Sequence, residues 1–262
     1  MNILQEIAAR TRERVEARKK VLPPQKLMEI ARSIGYVGGF HFEKALRSKD
    51  IAFICEIKRA SPSKGIIADE FPYLEVAKDY EAAGAAAISV LTEPYYFKGD
   101  DRYLREIADT VTVPLLRKDF TVDRYMLYEA KVFGASAVLL ICAVLDQKTL
   151  AEYIGIAHSL GLSALVETHT EAEVEMALAA GARIVGVNNR NLITFEVDIT
   201  LSERLRKMLP REIIFVSESG VRTAKDIERL RQIGVDAVLV GETLMRSLDK
   251  KKALAELRGN AL

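Results

Sequence analysis

Charged and amide side chains gather in this sequence where apolar runs end. Glu56 and Lys58 close the run IAFICEIK (51–58), Arg117, Lys118 and Asp119 close a run at 113–119, and Glu167 lies at the end of 161–168. Asn188, Asn189 and Arg190 follow the next run, and Glu218, Ser219 and Gly220 follow EIIFVSE. A lysine and a carboxylate facing one reacting centre are the ingredients of general acid–base catalysis. Taken singly, each residue also serves as half of a structural ion pair, but their recurrence at run after run favours a shared site. Glu56 and Lys58 are two apart and share one side of a strand. An inward lysine there is desolvated, which carboxylates and a bound anion compensate.

A second group suits an anion. Ser219 and Gly220 precede the helical stretch at 223–226, and Gly241-Glu242-Thr243 opens the short segment LMRSL. Glycines let backbone N–H groups approach oxygens closely, and helix N-termini favour negative charge. Glu242 fits such a site if its amide faces the ligand and its carboxylate points away. The loop Arg59-Ala60-Ser61-Pro62-Ser63-Lys64-Gly65 combines cations, hydroxyls, proline and glycine, as an anion-closing lid does. Phe97 and Phe120 fall in loops where they can wall an aromatic pocket. Cys55, Cys142, His41, His158 and His169 read as structural residues.

The elements that position these residues show as an internal echo. A glycine precedes an apolar run in GAAAISVL (84–91), GASAVLLI (134–141), GLSALVET (161–168), GARIVGVN (181–188) and GVDAVLVG (234–241). Each reads as a helix stop followed by a buried strand. With 51–58, 113–119 and 212–219 there are eight strands, lacking clean alternation as parallel strands covered on both faces do. The rhythm fits a closed (β/α)₈ barrel, whose active site lies at the carboxyl ends of the strands and whose phosphate sites commonly follow strands seven and eight. A doubly wound open sheet is the competing architecture; no G-x-G-x-x-G follows the first strand and no Walker A loop occurs. Residues 1–48 hold helices near 3–20 and 25–34 and are expected to form an extension packed on a barrel of residues 49–262. The charge-rich stretch from Arg10 to Lys20 is expected to be a solvated helix face.

The 262 residues are 49% hydrophobic and 29% charged, which excludes a disordered or collagenous chain. Mean hydropathy is +0.05, and no run approaches the roughly 18 apolar residues of a membrane span. A net charge of +1 provides no global field for nucleic acid. Two cysteines inside apolar runs and three histidines argue against a disulfide framework or a metal centre. No metal or cofactor is expected, and the cytoplasm is the expected compartment.

At these residues the chain resembles the indole-3-glycerol-phosphate synthase family of tryptophan biosynthesis. The segments are EIKRASPSKG (56–65), TEPYYFKG (92–99), PLLRKDF (114–120), LVETHT (165–170), GVNNRNL (186–192), SESG (217–220) and VGETLMR (240–246), in family order. The resemblance implies a single TIM barrel of the ribulose-phosphate-binding type. It implies closure of 1-(2-carboxyphenylamino)-1-deoxyribulose 5-phosphate to indole-3-glycerol phosphate, with loss of CO₂ and water. Lys118 would then be the acid and Glu167 the base, with Lys58 a second donor and Glu56 and Asn188 orienting groups or binding hydroxyls. Lys58, Ser219, Gly220, Gly241 and Glu242 would hold the phosphate. Phe97, Phe120, Leu139 and Ile141 would wall the anthranilate ring, with Ser61 and Pro62 at the lid and Arg190 and Glu218 in support.

Two other readings compete. A phosphoribosyl isomerase on a similar barrel leaves PLLRKDF beside EIKRASPSKG without a reason. A silent barrel that only binds a sugar phosphate does not account for Lys58, Lys118 and Glu167 together. The expected partner is a small sugar phosphate, with no nucleic acid, membrane or fused domain, in a monomer or weak homodimer.

Overall fold

The computed structural model describes residues 3–35, 39–191 and 194–259; a few positions of the expected extension and barrel, Leu192 among them, lie outside these. Eight parallel strands close into a barrel: β1 (Ala52–Ile57), β2 (Ala87–Leu91), β3 (Leu115–Lys118), β4 (Ala137–Ile141), β5 (Ser163–Thr168), β6 (Ile184–Asn188), β7 (Ile214–Glu218) and β8 (Ala237–Val240). Each pairs with its sequence neighbours, and β1 closes the ring against β8 with Ala52 opposite Ala237. A helix follows each strand, so both faces are covered and the runs read as continuously apolar. The chain is thus a (β/α)₈ barrel, and the open sheet is excluded.

Strand alternation sorts the residues. Ala52 and Ile54, Leu116, Ala137 and Leu139, Leu165, Ile184, Ile214 and Val216, and Ala237 and Leu239 pack in one cluster inside the barrel. Phe53, Cys55, Leu115, Val138, Val166, Val185, Phe215 and Val238 pack in the other, against the helices. Continuing the inward series by two at the carboxyl end reaches Glu56, Lys118, Ile141, Glu167, Asn188 and Glu218. The active-site polarity is therefore the top layer of an otherwise apolar interior.

Three helices precede β1: α1 (Ile3–Val21), α2 (Pro24–Ser33) and α3 (His41–Leu46). The third is short and was not legible in the sequence. Phe42 and Leu46 of α3 are fully buried in the inner cluster and plug the amino end of the barrel. The solvated face expected for Arg10–Lys20 needs correction. Leu4, Ile7, Ala8, Thr11, Arg14 and Val15 form the buried stripe of α1, because positions separated by three or four share a helix face. Arg14 lies on that stripe and its NH2 donates to both carboxylate oxygens of Asp119, each at 2.8 Å. Arg18 pairs with Asp101 and, at 3.1 Å, with Glu129. Arg10 stays exposed, as expected.

Arg117 is a second correction. It was grouped with Lys118 at the mouth, but its odd place on β3 turns it outward, where it pairs with Asp101 at 2.9 Å and Glu129 at 3.2 Å. Among the described residues, no helix is long and apolar enough to cross a membrane.

Candidate active site

A cavity of about 540 Å³ opens at the carboxyl end of the barrel, within the usual range for a small-molecule site. It collects all the expected residues: Glu56, Lys58, Ser61, Pro62, Phe97, Lys118, Phe120, Leu139, Ile141, Glu167, Asn188, Arg190, Glu218, Ser219, Gly220, Gly241 and Glu242. Lys118 stands between carboxylates, its Nζ 3.3 Å from Glu167 and 3.4 Å from Glu218. Burial disfavours this ammonium, but Glu218, Glu167 and Glu56 outweigh the penalty and hold its pKa above the ordinary lysine value. Burial also pushes the Glu218 carboxyl up, to about 7 against the pull of Lys118, with Glu167 and Glu56 adding repulsion. Burial acts upward on Glu167 too, yet Lys118, His169 and a hydrogen bond from Asn188 bring it below the usual range. Near neutrality the cluster therefore keeps a charged lysine and an ionised Glu167, with Glu218 the carboxylate readiest to take up a proton.

Next to this cluster Lys58 donates to Glu56 at 2.5 Å. Gly241 faces the pair: a Cβ there would sit 2.5 Å from Glu56 Oε1 and 3.1 Å from Lys58 Nζ. The neighbouring turn is strained, with Ser219 and Gly220 both left-handed at φ 66° and 92°. A serine in that region is uncommon and needs support. Ser219 receives it through its hydroxyl, which donates to Asn188 Oδ1 at 2.9 Å, while its carbonyl accepts from Asn189 at 3.0 Å. The Ser219 hydroxyl is thus committed to Asn188. The Glu242 carboxylate turns to Arg246 at 3.2 Å and Lys64 at 3.8 Å, leaving its amide in the first turn of the short helix Glu242–Arg246.

Phe97 and Phe120, with ring centroids 6.2 Å apart, line the same cavity as Leu139 and Ile141. Glu93, which the sequence reading passed over, holds Phe97 in place. Its fully buried carboxylate accepts from the amides of Tyr95, Tyr96 and Phe97 at 2.9, 2.7 and 3.0 Å. The expected lid is a small antiparallel hairpin, Ala60–Ser61 with Gly65–Ile66, tied to the same loop by the Ala60 amide on the Phe97 carbonyl at 3.2 Å.

Sequence reasoning also missed Ile3, Leu4 and Ile7 of α1 as cavity residues. They are ordinary amphipathic positions, and only the course of α1 over the mouth reveals their place. Arg246 was within reach, because it follows Glu242 by four on the segment flagged for phosphate. Among the described residues no group of three or more His, Cys, Asp or Glu is placed to hold a metal ion.

Comparison with known proteins decides the family. Residues 4–257 match the family model for indole-3-glycerol phosphate synthase. The chain belongs to the indole-3-glycerol phosphate synthase family. A family member from Ruminiclostridium cellulolyticum is 60% identical over 259 residues, covering 99% of this chain and all of that one. One from Endomicrobium trichonymphae is 52% identical over 98% of this chain and 99% of its own. Among solved structures, 3-hexulose-6-phosphate synthase from Salmonella typhimurium superposes with a TM-score of 0.66 at 14% identity, over 80% of this chain and 97% of that one. A tryptophan synthase α-subunit from Pyrococcus furiosus gives 0.62 at 18%, over 80% and 99%. These two likenesses speak for the barrel fold alone.

Proposed function

We propose that this member of the family closes the indole ring of 1-(2-carboxyphenylamino)-1-deoxyribulose 5-phosphate, releasing CO₂ and water, in tryptophan biosynthesis. The observation that carries the residue assignment is the placement of Lys118 between Glu167 and Glu218 on the floor of the cavity. The substrate phosphate sits against Lys58, Ser219, Gly220 and the amides of Gly241 and Glu242, and the anthranilate ring against Phe97, Phe120, Leu139 and Ile141. Lys118 donates to the ketone oxygen as the ring carbon attacks, and stabilises the negative charge developing there. Decarboxylation then restores the aromatic ring. Glu167 accepts a proton as the hydroxyl leaves, with Lys58 a second donor. Glu56 orients Lys58, and Asn188 holds Glu167 and the Ser219 turn. Arg190 supports that turn as well, its amide donating to Asn188 Oδ1 at 3.1 Å.

The side chains of this scheme all line the cavity of one chain, so the proposed chemistry needs no residue of a second copy in a monomer or weak homodimer. Buried free thiols at Cys55 and Cys142 suit the reducing cytoplasm. Mass analysis of the product tests the reaction: loss of one CO₂ and one water is expected, whereas a product of unchanged mass would indicate an isomerase.

Two substitutions test the phosphate end. Ser219→Asp keeps a residue that tolerates the left-handed turn but sets a carboxylate against the phosphate. KM is expected to rise at least about tenfold, since a like charge at close range costs more than about 1.4 kcal/mol; an unchanged KM would remove Ser219 from the site. Gly241→Ala drives a methyl group into Glu56 and Lys58. A displacement of this size is expected to lower kcat/KM by about 10² with the fold retained, as steady-state assay and circular dichroism will show.

A further inference from the structure

The loop leaving β5 carries a side chain that the scheme above does not use. His169 follows the strand, and Thr170 then caps the helix Glu171–Ala179, its hydroxyl accepting from the Glu173 amide at 3.2 Å. Glu173 turns back from the first turn of that helix. Its Oε2 accepts from the His169 backbone N–H at 2.6 Å and lies 3.6 Å from Nδ1 of the ring. The other ring nitrogen, Nε2, is 3.7 Å from Oε1 of Glu167 and is buried with no hydrogen-bond partner among the described residues. One side of the imidazole is thus pinned by a carboxylate outside the cavity, and the other is turned toward the base.

The two oxygens of Glu167 face two different nitrogen groups, Oε2 toward the Lys118 ammonium and Oε1 toward the His169 ring. Charge balance gives the second contact a purpose. Glu56, Glu167 and Glu218 crowd a buried space with only Lys58 and Lys118 among them. The groups bearing on His169 are Glu173 from the following helix, Glu167 of its own strand and Glu218 of β7, with Lys118 of β3 beyond Glu167. Cys142, after β4, bonds through Sγ to the Glu173 carbonyl at 3.6 Å, and its thiol is pushed up to about 12 by burial, so it adds no charge. Burial opposes a charged imidazole, but Glu173, Glu167 and Glu218 outweigh it and raise the His169 pKa above its ordinary value.

We infer that His169 is a positioning residue for the base: held by Glu173, its imidazolium pins the outer oxygen of Glu167, keeping that carboxylate ionised and aimed at Lys118 and the substrate. The inference rests on the assignment of Glu167 as base. It gives the Thr-Glu-Ala-Glu start of the helix a part in catalysis beyond capping.

The test compares kcat, KM and the pH dependence of kcat/KM for wild type, His169→Asn and Glu173→Gln, with Glu167→Gln as control. For His169→Asn, kcat is expected to fall about tenfold while KM stays within about twofold. Its acidic limb is expected to move to higher pH, because the cation that lowers the Glu167 pKa is gone, and the alkaline decline from His169 to disappear. Glu173→Gln is expected to move that alkaline decline to lower pH, and it carries the test should His169→Asn fail to fold. Folded variants with the wild-type pH profile would overturn the inference, whatever their rates. A silent His169→Asn beside a crippled Glu167→Gln would overturn this inference alone. A fully active Glu167→Gln would overturn the base assignment and this inference with it.

Discussion

Lys118→Met is expected to lower kcat by about 10² to 10⁴, the usual contribution of a positioned acid or base, while the protein stays folded. Met fills nearly the same volume without a charge. The carboxylates left behind, Glu167 and Glu218, need not remain as uncompensated ions, because Glu218 already sits near a pKa of about 7 and takes up a proton when its cation is removed. The barrel wall around them is closed by backbone pairing, in which Lys118 takes part only through its main chain, opposite Leu91 and accepting from the Thr92 amide at 3.1 Å. Glu167→Gln is expected to lose a similar factor. Because the two act on one substrate in one sequence of proton transfers, the double variant should be little worse than the worse single one. Steady-state kinetics with thermal melts check this, and near-normal turnover in both folded single variants would refute the assignment.

The second large effect concerns stability. Arg14→Met is expected to destabilise the protein by about 3 to 5 kcal/mol, because removing one partner strands the other as a buried charge. Asp119 is fully buried, and Arg14 fills both of its oxygens at 2.8 Å. The Thr92 hydroxyl at 2.8 Å and Arg117 at 3.6 Å remain, which places the expected value toward the lower end. Arg10→Met, at an exposed pair of 3.7 Å with Glu6, should change stability by less than about 1 kcal/mol.

The pH dependence has a definite sign. Burial pushes the Asp119 carboxyl up, but Arg14, Arg117 and the Thr92 hydroxyl hold it below the ordinary value. Its contribution is therefore complete above the unfolded carboxyl pKa, about 4, and is lost as pH falls through the depressed folded value. The gap between wild type and Arg14→Met should accordingly be widest near neutrality and narrow in acid. Urea unfolding at several pH values measures it; a gap below 1 kcal/mol at pH 7 would mean that α1 is not anchored through this pair. Since α1 brings Ile3, Leu4 and Ile7 to the cavity, a raised KM is expected to accompany the loss.

The cavity face was legible because its polar residues break apolar runs at the ends of strand after strand. Lys118 and Glu167 stood out for that reason, and so did the glycines after β7 and β8. Arg117 misled, because a run buried on both faces hides its alternation and only the barrel interior distinguishes position 117 from 118. Arg14 misled in the opposite way. Its neighbours are charged and exposed, and the helical spacing from Ile7 through Thr11 that carries it inward is masked by a stretch rich in arginine and glutamate. Phe42 and Leu46 of α3 gave no periodic signal, since six residues are too few to show one. His169 looked structural because a lone histidine usually is; its ring becomes informative only with Glu167 and Glu173 on either side.

The central claim is that this cavity performs ring closure with Lys118 and Glu167 as its acid and base. The most direct measurement mixes the purified protein with 1-(2-carboxyphenylamino)-1-deoxyribulose 5-phosphate and follows the indole chromophore, against a background low because the chain contains no Trp. Indole absorbance is expected to grow with wild type, one CO₂ released per indole formed, and nearly to vanish with folded Lys118→Met. A folded wild-type protein that binds the substrate and forms no indole would contradict it, as would a Lys118→Met variant that forms indole at the wild-type rate.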